Sequence, residues 1–354
     1  MLGKQDSARC RGAALAESLI AFFMMNRLKN ILVAAWDFAD SYLYDIRRYW
    51  RHSQAFARFR SRKTARAYLL MSVHALEKGL ALQERKPGFG KAKCRELLGE
   101  ALRFQQQFGP DPVCRYTVEV VGCVLEFNAA TGDTDADLVA RFQSLKNEIT
   151  QSQTSFDAPG GLRQVCKREI AASLPPDAFQ FFATRHSVRQ FAAGKIPEAS
   201  IREAVRIAQR SPSVCNRQSC RLHYTTDPDI IAKTLAHQKG AGGFGENAAA
   251  VFVVTSELGA FNRAGERNQA YVDGGIFAQT FALGMHALGF GTCYLNWSKT
   301  AREDRQFRRG LNIPDSEMII TLLAGGCLRE EFVVAASPRI PTDEVLSQLR
   351  RRHS

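Results

Sequence analysis

The sequence predicts an α+β protein in which a mainly α-helical domain, residues 1–178, precedes a layered domain of helices and strands, residues 179–354. In the first half, apolar residues recur every three or four positions, which is typical of helices. After Pro175 and Pro176, short β-rich runs alternate with helical stretches. A length of 354 residues allows two domains of ordinary size. Apolar residues make up 45% and charged residues 23%, which excludes a disordered, collagen-like or purely coiled-coil chain.

Helices account for most of the first half. Two stretches have an apolar face that we expect to pack inward, one formed by Ile31, Ala34, Ala35, Phe38 and Tyr42 and the other by Leu69, Val73, Leu76 and Leu80. Turn signals at 86–88, 109–110 and 131–133 separate two further helices, over 95–108 and 112–130. A polar stretch at 150–161 ends in Pro-Gly-Gly and is interpreted as a linker.

In the second half, three apolar runs predict buried strands at 249–256, 292–296 and 318–326. Pro197 begins a helix that ends before Pro212. The helix predicted over 270–288 is apolar on nearly all sides, so it should lie in the middle of the domain.

Charge is the unusual feature of the composition, because 48 basic residues against 35 acidic ones give a net charge of +13. Eight basic residues and no acidic one lie between Arg47 and Arg66, interleaved with aromatic side chains. This segment could bind an anionic membrane surface, or nucleic acid, or form a solvated face whose aromatics pack inward. Of these three interpretations, nucleic-acid binding is the one that the pattern favours least.

Several functional classes are not supported. Nine cysteines without a CxxC pair indicate a reducing compartment, and the short apolar run at 19–25 is not followed by a cleavage site, so we expect a cytoplasmic protein that begins at Met1 or Met25. The histidines have no metal-ligand spacing, so we expect no metal site. The GxGxxG pattern at 240–245 is not interpreted as a dinucleotide site, because a helix precedes it and a strand follows it.

The most informative residues form four segments. Segment 185–189 (RHSVR) concentrates hydrogen-bond donors suited to a phosphate. Segment 211–218 (SPSVCNRQ) is a polar loop whose amides can hydrogen-bond the edge of a heteroaromatic ring. Segment 289–297 (GFGTCYLNW) begins a strand, and segment 337–341 (SPRIP) is an extended tail with one arginine.

Together, these segments resemble the FMN-dependent nitroreductase family over about residues 179–350. The resemblance implies a nitroreductase-like mixed sheet flanked by helices. It assigns the FMN phosphate and ribityl chain to the first segment and the tail, and the isoalloxazine ring to the other two. The implied cofactor-binding residues are Arg185, His186, Ser187, Arg189, Pro212, Ser213, Asn216, Leu295, Asn296 and Arg339. Segments 74–80 and 86–90 resemble the helical extension of nitroreductase-like proteins associated with polysaccharide biosynthesis.

The activity implied by this resemblance is hydride transfer from NADH or NADPH to the flavin N5, followed by reduction of a small organic acceptor, with no catalytic side chain. The family shares each flavin between two subunits, which implies a homodimer. Two alternatives stay open: a flavin enzyme with other chemistry, and a non-catalytic scaffold. Ser219, Cys220 and Ser337 depart from the family pattern. Trp297 could either narrow the substrate space or pack in the core.

Overall fold

The computed structural model describes residues 3–55, 59–149 and 156–351, with the backbone alone before residue 24. Five helices lie between residues 3 and 149: α1 (Gly3–His52), α2 (Arg62–Leu80), α3 (Lys91–Phe108), α4 (Pro112–Ala130) and α5 (Ala136–Ile149). Two of the predicted helices are found within a few residues of their expected bounds, and α5 is an addition to the prediction. The predicted linker falls partly on residues 150–155, which lie outside the described residues.

Helices α2 to α5 pack around one apolar core. The predicted face of α2, including Leu69 and Val73, is buried against residues of the other three helices. The N-termini of α2 and α4 are capped by Ser61 and Asp111, whose side-chain oxygens accept hydrogen bonds from backbone N–H groups. Local capping and shared burial therefore stabilise this bundle together.

Helix α1 does not bury its predicted apolar face, and that expectation is wrong. Ile31 is 56% exposed and Phe38 66% exposed. The helix contacts the rest of the chain through another side, near its C-terminal end, where Arg48 is buried and donates to the backbone oxygens of Asp315 and Glu317. An apolar stripe at helical spacing defines a face, but a neighbour must be available to cover it.

The described residues from 156 onward contain the sheet and the helices around it. Their elements are α6 (Lys167–Ala172), α7 (Ala178–Ala183), β1 (Phe191–Ala192), α8 (Glu198–Ala208), β2 (Cys220–Thr225), α9 (Pro228–Leu235), β3 (Ala250–Glu257), α10 (Gln269–Ala287), β4 (Phe290–Leu295), α11 (Ala301–Leu311), β5 (Glu317–Leu328) and α12 (Thr342–Val345). The three predicted strands correspond to β3, β4 and β5. The α+β class is confirmed.

Strand β5 is the centre of the sheet, since β1, β3 and β4 all pair with it and β2 pairs with β3. Every pairing between these strands is antiparallel. The parallel component of the expected mixed sheet is limited to an isolated bridge between Ser187 and Thr292. Residues of α8 and α10 form one apolar layer with the sheet, and residues of α9 and α11 contribute to another.

Helix α10 is less central than expected. Phe277 and Phe281 are buried against the sheet, as predicted. Tyr271, Val272 and Ile276, however, are between 39% and 51% exposed. One side of this apolar helix is therefore uncovered in a single subunit.

The basic segment between Arg47 and Arg66 is largely used inside the protein. Arg62 and Arg66 form ion pairs with Asp111, and Lys63 pairs with Glu257. Arg58 lies outside the described residues. The expected positive patch is therefore smaller than its sequence indicates. The domain boundary at residue 178 stays a prediction.

Candidate functional site

Segment 185–189 runs beside β4. Ser187 forms the parallel bridge with Thr292, and the Val188 N–H donates to the Thr292 carbonyl over 3.0 Å. Val188 is buried, whereas Arg189 is exposed. Because successive side chains of an extended chain point to opposite sides, Ser187 and Arg189 lie on the side away from Val188.

The two arginines of this segment have no carboxylate within ion-pair distance in the described chain. Arg189 lies over the Phe244 ring at 6.0 Å and also donates a long bond, 3.4 Å, to the Ser187 carbonyl. Arg185 is half-buried. Two guanidiniums without a carboxylate partner on one short segment favour an anionic ligand with several acceptor oxygens.

Titratable neighbours show where this positive charge lies. Burial lowers the pKa of His286, at the end of α10, and the charges of Arg185 and His186 lower it further. Burial raises the pKa of Tyr294, on β4, and Arg185 opposes that rise. Arg185 therefore lies close to both α10 and β4.

Segment 211–218 is a strained loop between α8 and β2. Cys215, Asn216 and Gln218 have φ angles of 49°, 51° and 50°, which non-glycine residues rarely adopt. Each such residue costs on the order of 1–3 kcal/mol and persists where the surroundings fix it. Two contacts supply that constraint here: the Val214 N–H lies 3.2 Å from the Asp273 carboxylate, and the Gln218 N–H donates to the Ser213 Oγ at 3.0 Å.

Arg217 anchors the same loop from within the core. Its guanidinium donates two 2.8 Å bonds to the Glu266 carboxylate and one of 2.7 Å to the Ala260 carbonyl. Burial raises the pKa of Glu266, but the bonds from Arg217 and from the Asn262 N–H outweigh it and hold that pKa below its usual value. Arg217 is therefore a structural residue of the loop.

The N-terminal bundle reaches this loop through Tyr116. Its hydroxyl donates to Glu77. Burial raises the pKa of Tyr116, and the nearby Asn216 side chain opposes that rise. Glu77 in turn accepts from the Gly161 N–H. The sequence singles out the segment that contains Glu77, but nothing in it indicates that Tyr116 lies near Asn216.

The backbone after β4 is held by side-chain donors. Thr321 Oγ1 donates to the Leu295 carbonyl at 3.1 Å, and Gln238 Nε2 donates to the Asn296 carbonyl at 2.7 Å. Leu295 is buried and Asn296 is exposed. The backbone carbonyls of Leu295 and Asn296 therefore already accept hydrogen bonds from side chains.

Trp297 packs in the core. Its ring lies 4.4 Å from that of Phe307, and its Nε1 donates to Asp304 at 2.8 Å. Of the two interpretations left open by the sequence, this geometry supports core packing.

Arg339 lies on the exposed tail that follows β5. The tail leaves β5 beside segment 185–189, where the Val333 N–H donates to the Gln190 side chain at 3.2 Å. Arg339 itself is exposed and donates to the carbonyl of Ser337, a residue with a φ of 43°. Its assignment to the FMN phosphate stays a prediction.

The loop 211–218 and the chain just before segment 185–189 contact α10 at different positions along the helix. Val214 contacts α10 at Asp273, whereas Thr184 lies 3.1 Å from the His286 ring. These two positions of α10 are about 20 Å apart along the helix, at 1.5 Å per residue. Segments 185–189 and 289–297 therefore come together near the C-terminal end of α10, while the loop contacts α10 at Asp273 and, through Ser211, at Thr280.

Comparison with known proteins identifies the family of the second half. Residues 182–241 and 232–326 match the model of the nitroreductase family. The C-terminal half therefore contains a nitroreductase family domain, as the four segments predict. No functionally curated protein matches the sequence.

Solved structures similar to the chain include three from bacteria. A putative nitroreductase in complex with FMN from Desulfovibrio desulfuricans is 20% identical, covers 51% of this chain and 100% of its own, and has a TM-score of 0.42. The FMN-dependent nitroreductase from Clostridium difficile is 18% identical, with 44% and 91% coverage and a TM-score of 0.38. The nitroreductase-like family protein from Bacillus cereus is 16% identical, with 50% and 98% coverage and a TM-score of 0.43.

Proposed function

We propose that the protein is an FMN-dependent oxidoreductase that takes hydride from NADH or NADPH and reduces a small organic acceptor, such as a nitroaromatic, quinone or enone. The main observation behind the proposal is the bridge between Ser187 and Thr292. This bridge places beside β4 a segment whose two arginines have no carboxylate partner in the described chain. The match to the family model supports it. FMN would supply the hydride chemistry, so the side chains need only bind and orient it.

The residues of segment 185–189 fit a phosphate group. Arg185 and Arg189 would neutralise its charge, and the Ser187 hydroxyl would donate a further bond. His186 is exposed on the same segment and would lie at the edge of this site. We propose that Arg339 adds a third guanidinium when the tail is placed by a partner subunit.

For the flavin ring, we propose contacts from both remaining segments. Pro212, Ser213 and Asn216 would line the ring, on a loop whose backbone is fixed by Asp273 and Arg217. Since the carbonyls of Leu295 and Asn296 already accept side-chain bonds, backbone N–H groups would be the donors that this segment offers to the N5 edge.

A homodimer would complete this site. The loop contacts α10 at Asp273 and Thr280, whereas segment 185–189 lies near His286 at its C-terminal end, so we propose that the loop of one subunit and segment 185–189 of another form one flavin site. The exposed side of α10, at Tyr271, Val272 and Ile276, supports a twofold contact there. Light scattering on the purified protein tests this, and a monomeric mass for the FMN-bound protein would contradict it.

The test of the cofactor assignment is FMN binding by the full chain and two variants. We expect the purified protein to show the visible absorbance bands of a flavin and to lose them when NADH or NADPH is added anaerobically. Arg185→Ala and Arg189→Ala should each weaken FMN affinity at least tenfold, because a hydrogen bond to a charged group contributes roughly 1.5–3 kcal/mol. Arg206→Ala is the matched control, since Arg206 is on α8 and pairs with Glu203.

Three outcomes separate the competing functions. Unchanged FMN affinity in both variants would contradict the phosphate assignment. FMN binding without oxidation of NADH or NADPH would favour a flavin enzyme with other chemistry, such as oxidative dehydrogenation or flavin fragmentation. A colourless protein that cannot be loaded with FMN would favour a non-catalytic scaffold, linked to polysaccharide biosynthesis through the resemblance of its N-terminal half.

We also propose a cytoplasmic location with peripheral binding to an anionic membrane surface. No described helix is both long and apolar enough to cross a bilayer. Trp50 is 62% exposed, and Arg47 and Arg51 are exposed beside it, which supports contact with a lipid surface rather than with nucleic acid. Association with anionic vesicles that disappears in high salt tests this, and binding that ignores lipid charge would contradict it.

A further inference from the structure

A cavity of about 490 Å³ lies between the C-terminal part of α1 and helix α11. None of the residues proposed to bind FMN lines it. Six of its lining residues are arginines: Arg47, Arg48, Arg51, Arg305, Arg308 and Arg309. Asp315 is the one carboxylate among the described residues of its wall. Such a concentration of guanidiniums around one cavity needs a physical explanation, because like charges repel each other.

Two of the arginines are buried and form part of the framework. Arg48 donates to the Asp315 and Glu317 carbonyls at 2.9 and 2.6 Å. Arg308 donates to the Asp304 carboxylate at 2.5 Å and to the Pro314 carbonyl at 2.8 Å. These bonds fix the wall of the cavity, since each guanidinium has several partners in one geometry.

Arg305 is half-exposed and is also neutralised inside the protein. Its Nη2 lies 2.7 Å from the Asp40 carboxylate of α1, and its guanidinium stacks over Tyr44 at 4.8 Å. The Tyr44 hydroxyl donates to Asp304 at 2.7 Å. The contact between α1 and α11 is therefore built from ion pairs and aromatic packing that leave the cavity open.

The other three arginines are exposed and have no carboxylate within ion-pair distance in the described chain. Arg47 and Arg51 are one helical turn apart, so both project from the same side of α1. Arg309 comes from the last turn of α11. With the framework arginines paired, the cavity keeps a local excess of about three positive charges.

We propose that this cavity binds a phosphate or diphosphate group, held by Arg47, Arg51 and Arg309. Guanidinium forks match the geometry of phosphate oxygens, and three of them suit a group that carries two or more negative charges. A volume of about 490 Å³ accommodates such a group with several further atoms. The group could belong to a soluble phosphate ester or to a lipid headgroup, because exposed Leu43, Ile46 and Trp50 continue along α1 beside the cavity.

The experiment is a calorimetric titration of inorganic pyrophosphate into the full chain saturated with FMN. We expect saturable binding that weakens at least tenfold in the triple variant Arg47→Gln/Arg51→Gln/Arg309→Gln. Since all three side chains are exposed, this variant should keep the melting temperature of the wild type, which a thermal scan checks. The matched control is Arg302→Gln, an exposed arginine of α11 that does not line the cavity.

A second variant separates this site from the proposed flavin site. Arg185→Ala/Arg189→Ala should bind pyrophosphate as the wild type does, whether or not it binds FMN. Unchanged binding in the triple variant, loss of binding in the control, or no saturable binding to the wild type would each overturn the proposal. Pyrophosphate binding that is lost in Arg185→Ala/Arg189→Ala would also overturn it, because the anion would then occupy the flavin phosphate site.

Vesicles distinguish the two sources of the phosphate group. The probes are phosphatidylcholine vesicles that contain either phosphatidic acid, a phosphomonoester, or phosphatidylglycerol at equal surface charge. Preferential sedimentation with phosphatidic acid that pyrophosphate reverses, and that the triple variant lacks, supports a lipid headgroup. Pyrophosphate binding without this preference supports a soluble phosphate ester and overturns the lipid source.

Discussion

In the α2–α5 bundle, apolar side chains such as Leu69 and Phe104 are fully buried, whereas on α1 Trp36 is 71% exposed and Ile31 56% exposed. Both regions have the same periodic arrangement of apolar residues. The bundle covers its faces because α3, α4 and α5 bring complementary faces to α2. Helix α1 instead uses polar side chains to contact the second half, as Arg48, Tyr44 and Asp40 illustrate. Hydrophobic periodicity therefore predicts a face, and topology decides whether that face is buried.

The largest expected effect is a large-to-small change in the bundle core. Phe104→Ala should lower the free energy of unfolding by about 3–5 kcal/mol, because it removes a fully buried ring and leaves a cavity. The matched change on α1, Trp36→Ala, should alter it by less than about 0.5 kcal/mol. Urea denaturation of both variants measures the difference. If Trp36→Ala lowered the free energy of unfolding by several kcal/mol, this part of α1 would be covered in solution. That result would contradict the expected difference between the two regions.

An intermediate effect is expected at the polar contact of α1. Asp304 accepts hydrogen bonds from Tyr44 at 2.7 Å, Trp297 at 2.8 Å and Arg308 at 2.5 Å. Asp304→Asn should cost about 2 kcal/mol at neutral pH, because bonds to a charged acceptor are weakened. Burial raises the pKa of Asp304, but Arg308, Trp297 and Tyr44 together lower it below the ordinary value of 3.8.

The direction of that pKa gives the pH dependence. A carboxylate with a lowered folded-state pKa stabilises the protein above the unfolded-state value and stops doing so as the pH falls through the folded-state value. Wild-type stability should therefore fall in acid below about pH 4 partly through Asp304, and Asp304→Asn should lack that part of the decrease. Denaturation curves at several pH values measure it. Asp137→Asn, whose side chain is 87% exposed, is the control and should keep the wild-type profile.

Much of the fold could be predicted from local patterns. The helix predicted over 112–130 matches α4, because Pro112 begins it and the turn at Gly132 follows it. Buried strands such as β3 were recognisable as continuous apolar runs with polar residues at their ends. Helix α5 was not predicted, although its buried Leu138, Phe142, Leu145 and Ile149 have helical spacing.

Long-range contacts could not be predicted in the same way. The hydrogen bond between Tyr44 and Asp304 joins the two halves of the chain, and no local pattern encodes it. The same holds for Asp273, which fixes the strained loop through the Val214 N–H. Of the predicted site, the structure brings Ser187 next to Thr292, whereas Arg339 is exposed on the tail. The roles of the ten predicted cofactor-binding residues stay predictions.

The smallest effect is expected at the start of the bundle, where local hydrogen bonds rather than packing hold the chain. The Ser61 Oγ accepts from the Thr64 N–H at 3.2 Å, and the Thr64 Oγ1 accepts from the Ser61 N–H at 3.0 Å. Ser61→Ala removes the first bond and should cost about 1 kcal/mol, measured as a shift in the urea midpoint. Ser298→Ala in an exposed loop is the control. If both variants unfold at the same urea concentration, the capping bond does not stabilise α2 and packing alone defines where this helix begins. The bundle would then differ from α1 only because other helices cover its apolar face.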